Sequence, residues 1–149
     1  MNILRIVYDF ADSNNTTGGL STGPYELSVT QANMGHKIYV LSGNLNKKNI
    51  KKFRFTYSLC DGNLVVYNLP RALFESVGPF FSSSIFVLPY YFYLKLTKKI
   101  DVIHNHQQMG LWFLIYKKLF SFIDKTPLVH TNHGLMKTRL NKIQESNSK

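Results

Sequence analysis

Acidic side chains are scarce in this chain. It holds 8 Asp and Glu against 18 Lys and Arg over 149 residues, a formal charge of +10. An excess of that size favours an anionic neighbour, whether a phosphorylated ligand, an acidic lipid or a nucleic acid. Cysteine is nearly absent too. Cys60 stands alone, which excludes an intrachain disulfide and a cysteine metal cage and fits a cytoplasmic setting. No signal peptide is readable, because the first apolar run is short and lacks a basic leader and a small-residue cleavage site. Only Ser76 to Leu94 is uncharged over the length of a membrane span. Gly78, Pro79, Ser82, Ser83, Ser84 and Pro89 lie within it. That composition suits a buried or interfacial aromatic segment better than a lipid-facing helix. A carboxylate pair at glycosidase spacing is missing, as is a serine or cysteine nucleophile in a recognisable turn.

What is present is enough apolar residue for one folded domain, 44% of the chain. Ile3–Tyr8 is a short apolar run bounded by polar loop residues and reads as a buried strand. A polar loop from Asp9 to Thr17 leads to Gly18-Gly19-Leu20-Ser21-Thr22-Gly23-Pro24. A helix is expected from Gly23, with Pro24 at its first position and Glu26 in its first turn. Leu20, Leu27 and Met34, with Val29 and Ala32, supply its apolar stripe, and Gln31 interrupts it. Gly35 stops the helix, and Ile38–Leu41 forms the second strand. Strand, helix and strand in that order imply a parallel crossover. Further strands are expected at Leu64–Leu69, Asp101–His104 and Pro127–Thr131. Helices are expected after Pro89, ending near Lys98-Lys99, and from Gly110 to Phe122. The basic run from Lys47 to Arg54 reads as a solvated loop or edge. Five strands alternating with helices define a doubly wound, Rossmann-like parallel α/β sheet. Its last strand falls close to the end of the chain, so the domain reads as unfinished.

The chemistry-bearing residues gather at expected strand ends. The glycine turn is no dinucleotide fingerprint: its glycines come late, and no acid closes the second strand. No Lys-Ser/Thr pair follows, so it is no Walker loop either. It remains a turn that lets a ligand approach the backbone, or plainly a tight helix–strand contact. His104 and His106 sit at the carboxyl end of the fourth strand and share a face if that strand stays extended. His133 follows the fifth strand, just before Gly134. Imidazoles at that rim suit hydroxyl recognition and proton handling near neutral pH. Zinc is the sharper alternative, but no tight ligand pair on one helix supports it. His130 and Asp101 read as structural residues.

The ordered set carries a resemblance. The first strand, the Gly18-Gly19 loop, the helix ending Gly35-His36, then Asp101-Val102-Ile103-His104-Asn105-His106, then Pro127-Leu128-Val129-His130-Thr131-Asn132-His133-Gly134 resemble the N-terminal half of family-four glycosyltransferases. That resemblance implies a GT-B fold, two Rossmann-like domains across a cleft, with this chain an incomplete N-terminal half. Residues 1–136 would be the acceptor-side domain and 137–149 a polar tail. It implies sugar transfer with retention, from a nucleotide-sugar donor to a glycan or lipid-linked acceptor, with no metal and no cofactor. Gly18 and Gly19 would approach the donor diphosphate. His106 would be the catalytic histidine of the cleft, with His104 and His133 binding donor or acceptor. Phe80-Phe81-Ser82 would line the acceptor side.

The nucleotide-binding half of such enzymes carries the groups that stabilise the leaving diphosphate. A second chain carrying that half is therefore an expected partner, and the 149 residues alone are expected to be inactive or nearly so. Lys47–Arg54 is a candidate contact with an anionic membrane, at its inner face. The alternative reading is a non-catalytic basic α/β module binding a membrane surface or nucleic acid. Nucleic acid is disfavoured, because no basic residues interleave with exposed aromatics on one expected sheet face.

Overall fold

Six strands form one sheet in the computed structural model, which describes residues 1–10, 19–43, 56–69 and 84–131. In chain order the elements are β1 (Asn2–Val7), α1 (Gly19–Asn33), β2 (Lys37–Ser42), β3 (Thr56–Leu59), β4 (Leu64–Asn68), α2 (Val87–Lys98), β5 (Val102–His106), α3 (Leu111–Phe120) and β6 (Leu128–Thr131). The spatial order is β3-β4-β2-β1-β5-β6. Every pairing is parallel except β3 with β4. This is the expected Rossmann-like α/β sheet.

Strand alternation sorts the side chains into two cores. Ile3, Val7, Ile38, Val40, Leu64 and Val66 pack on the α1 face with Ala32. Leu4, Ile6, Leu41 and Ile103 pack on the other face with Val87, Tyr91 and Leu94 of α2 and Phe113 of α3. The chain leaves β1 through α1 to β2 and β4, then returns to β5 on the other flank of β1. The sheet order therefore reverses between β1 and β5, and in open α/β sheets ligands bind at the carboxyl ends beside such a reversal.

Three expectations are corrected. First, α1 begins at Gly19, so Pro24 lies inside the helix and Glu26 is outside the first turn, which holds no acid. The Pro24 carbonyl accepts sideways, from Ser28 Oγ at 2.6 Å and from Arg5. Second, the Leu20–Leu27–Met34 stripe is not the buried face. Leu27 and Met34 are exposed, while Ser21, Pro24, Ser28 and Ala32 are buried. The reason is Arg5, which β1 buries completely beneath α1. Its guanidinium donates to Pro24 O at 3.3 Å, to Ser28 Oγ, and to Gln31 Oε1 at 2.6 Å. A buried cation needs oxygen around it, so the covering helix turns small and polar side chains inward. Gln31 belongs to the buried face and does not break it.

Third, the strand count rises by the antiparallel edge strand β3. The turn Cys60–Gly62 joins it to β4, with left-handed φ at Cys60, Asp61 and Gly62. Asp-Gly-Asn ahead of an apolar run is a hairpin signal that was legible in the sequence. Smaller shifts follow the same logic. α2 starts at Val87, before Pro89, because proline is accepted within the first helical turn. β5 runs on to His106. The helix stop at Gly35 holds, with φ 87° and the paired bonds Gly35 N–H to Ala32 O and His36 N–H to Gln31 O. Asp101 is structural. Its Oδ2 accepts the Asn2 N–H at 2.7 Å, while Asn2 Nδ2 donates to the end of α2 at Lys98 O. Lys47–Arg54, Phe80-Phe81-Ser82, Gly18 and His133 lie outside the described residues.

Candidate functional site

Register assembles the site. Val7 pairs with Ser42, and Ser42 with Asn68, along the carboxyl edge of β1, β2 and β4. Across β1, Arg5 pairs with His104 and Ile6 with Asn105; His106 in turn pairs with Thr131 of β6. Residues paired across a sheet share a face, so Asn68, Ser42, Val7, His106 and Thr131 form one row on the α1 face. His104 and Arg5 lie one step behind it. The row is polar except at Val7, and it crosses the reversal between β1 and β5.

The two imidazoles expected to share a face do so. Their ring centroids are 4.0 Å apart and the planes are inclined by 34°. His104 Nε2 lies 2.7 Å from Thr131 Oγ1, a hydrogen bond that fixes its ring against β6. His106 is only 5% exposed. Gly19 is the first residue of α1, whose opening N–H groups and dipole face the same carboxyl edge by the β1–α1 connection. His130 is on the opposite face, exposed, with Nδ1 2.9 Å from Asn105 Nδ2.

Arg5, Ser42, Asn68 and Thr131 were not singled out from sequence. A charge inside the apolar run Ile3–Val7 was the available signal for Arg5. Burial pushes its guanidinium down to about 10, so it stays charged at neutral pH. Ser42, Asn68 and Thr131 each close a strand, and only the pairing of those strands gives them a common address. Among the described residues no cluster of three His, Cys, Asp or Glu side chains is placed to hold a metal ion.

The loop after β5 is shaped by Gly110. A Cβ there would sit 2.4 Å from Asn105 Oδ1 and 2.7 Å from its Cγ. Asn105 is fully buried and linked to His130, so it has little room to retreat. Gly110→Ala is expected to lower the unfolding free energy by about 1–3 kcal/mol, the usual range for overpacking. Urea unfolding measures it. The loss should shrink in an Asn105→Ala background, since a double-mutant cycle isolates that clash.

An open, mostly parallel sheet with a glycine-led helix and paired imidazoles at its order reversal defines a Rossmann-like ligand-binding domain. The family model described as Glycosyltransferase Family 4 matches residues 17–148, and the chain belongs to that family. It is a glycosyltransferase domain, and its substrates are in general terms a sugar donor and an acceptor. A comparison with curated proteins gives no match. Among the described residues no helix is long and apolar enough to cross a membrane.

Proposed function

We propose that this chain is the acceptor-side domain of a retaining, GT-B glycosyltransferase that moves a sugar from a nucleotide-sugar donor to a glycan or lipid-linked acceptor. The observation that carries the reading is the imidazole pair at the end of β5, beside the reversal of the sheet and in register with the polar edge row. Imidazole can donate or accept at each ring nitrogen, which suits recognition of sugar hydroxyls. His106 is the residue assigned to contact the sugar or acceptor at the reacting centre. His104, anchored to Thr131, positions it. Gly18 and Gly19 approach the donor diphosphate, supported at Gly19 by its place at the positive end of the α1 dipole and by a first turn that holds no acid. His133 is assigned to binding donor or acceptor. Residues 1–136 are assigned to this domain.

Acceptor handling and donor handling separate in this reading. The 149-residue polypeptide assayed alone with radiolabelled nucleotide sugars is expected to show little or no turnover. A panel of free and lipid-linked oligosaccharides, titrated into isotope-labelled protein, should shift the imidazole resonances of His104 and His106. His106→Ala should abolish that shift at His106 and weaken acceptor binding, while the fold signals stay in place. Robust transfer by the chain alone would sink the division of labour. Acceptors that bind without disturbing either imidazole would sink the site. The +10 charge favours one competing reading, a basic binding module without catalysis. Salt-sensitive binding to nucleic acid in a gel shift, with no saccharide response, would select it.

A further inference from the structure

The two faces of β4 are covered unequally. On the α1 face Leu64 and Val66 are fully buried. On the other face Val65 and Tyr67 are only half-buried. The β3 residues paired with them, Ser58 and Thr56, are exposed. α2 packs its Val87, Tyr91 and Leu94 with Leu4, Ile6 and Leu41, over β1 and β2. Its next row of side chains meets β4. Tyr90 lies edge-on to Tyr67, with ring centroids 6.0 Å apart and planes inclined by 63°. Tyr93 follows one turn on, on the same side of the helix, and is 54% exposed. Burial raises the Tyr67 hydroxyl, and the phenols of Tyr93, Tyr39 and Tyr90 raise it further, which places the four close together. The result is a shelf, with β3 and β4 as its floor and the tyrosines of α2 as its wall.

Its chemistry selects the ligand. No charged side chain stands among Thr56, Ser58, Val65, Tyr67, Tyr90 and Tyr93. Lys37, exposed on β2 two places before Tyr39, is at the amino edge. On a chain of charge +10, a neutral patch is the wrong seat for a nucleic acid or an anionic lipid, which need cations. An apolar partner would take the tyrosine, serine and threonine hydroxyls out of water with no bond in return. A sugar ring meets both needs. Its C–H face packs on an aromatic ring, and its hydroxyls exchange hydrogen bonds with side-chain hydroxyls, which donate and accept. Tyr67 directly precedes Asn68 of the edge row and points to the opposite face. The shelf therefore opens near the carboxyl edge of the sheet, but on the far side from His106.

We propose that the tyrosine shelf of β3, β4 and α2 binds a neutral oligosaccharide, at a site separate from the imidazole pair. The inference rests on the composition of the shelf and stands whether or not His106 contacts the reacting centre.

Titration of the full chain, labelled in its tyrosine and histidine rings, with glucose, maltohexaose and cellohexaose tests it. At least one hexasaccharide should bind more tightly than glucose and shift the ring resonances of Tyr67, Tyr90 and Tyr93. Tyr93→Ala should weaken that response about tenfold, the loss of one stacked ring, and Tyr93→Phe much less. Ser58→Arg should block the floor and abolish it. Both positions are exposed, so the unfolding midpoint should stay unchanged. In His106→Ala the tyrosine response should persist. Loss of the imidazole response alone, with the tyrosine response intact, would sink the cleft assignment and uphold the shelf.

Tyrosine rings that stay silent to all three sugars would overturn the proposal. So would full-strength binding by Tyr93→Ala and Ser58→Arg, or a tyrosine response that vanishes in His106→Ala. Dimers that Ser58→Arg dissolves, with no sugar response, would reassign the shelf to a second copy of the chain.

Discussion

Asp124→Ala will destabilise the domain by about 3 kcal/mol, the low end for breaking a buried ionic cluster because Lys95 stays partly in water. Asp124 sits in the turn between α3 and β6 and ties three elements together. Tyr91 of α2 donates its hydroxyl to Oδ2, Tyr116 of α3 donates at 3.2 Å, and the Thr126 N–H donates to Oδ1 at 3.1 Å. Lys117 also donates to the carbonyls of Asp124 and Thr126 at 2.6 and 2.8 Å. Without the carboxylate, the buried Tyr91 hydroxyl loses its main acceptor and Lys117 its counter-charge. Chemical denaturation gives the number. A loss under about 1 kcal/mol would show that the cluster is replaceable by water.

The same residue carries an acid dependence. Burial pushes the carboxyl up, but the hydrogen bonds from Lys95, Tyr91 and Thr126 reverse this and hold it well below the usual carboxylate range. A depressed folded value means the stabilisation is complete above the unfolded carboxylate value and is lost as pH falls. The gap between the native chain and Asp124→Asn should be flat at neutral pH and narrow progressively below about pH 4. A gap that widened with acid would contradict the assignment of the ionised form. The Tyr91 hydroxyl moves the opposite way, raised by burial first and by its bond to the ionised Asp124, so it remains a donor across the range.

Arg5 should separate two contributions that look alike in the coordinates. Arg5→Ala is expected to cost about 3 kcal/mol, because a fully buried long side chain leaves a cavity under α1. Arg5→Met fills most of that space without a charge. It should leave stability within about 1 kcal/mol of the native chain, or raise it, because a buried ion replaced by an apolar side chain of similar size is often neutral or favourable. The geometry supports that split. Among the described residues, neutral oxygens are the guanidinium's hydrogen-bond acceptors and its Nε has no hydrogen-bond partner. Ser28 Oγ keeps its own bond to Pro24 O when the arginine goes, and Gln31 is near enough to solvent to turn outward. Equal losses for methionine and alanine, measured by the same unfolding curves, would show that the hydrogen bonds to α1 outweigh the desolvated charge.

Much of the architecture was legible before any coordinates. Apolar runs bounded by polar and glycine-rich segments located five of the six strands, and Gly35 located the end of α1. Those features act within a few residues, so a local pattern is enough to read them. The shared face of His104 and His106 was legible for the same reason, since alternate residues of an extended strand must point the same way. The hairpin strand β3 was missed although its turn residues were in plain view. The buried face of α1 was misread because an apolar stripe was sought. The residue that dictated a polar one, Arg5, belongs to a different element.

By itself, then, the sequence determined the alternation of strands and helices, the pairing of imidazoles on one strand, and the family pattern that runs along the chain. Only the tertiary structure decided which strands became neighbours. That choice set His104 against Thr131, aligned Ser42 and Asn68 with His106, and buried Arg5 under a polar helix face. The physical reason is that periodicity tells which residues point together, whereas burial and contact depend on what another part of the chain brings opposite them.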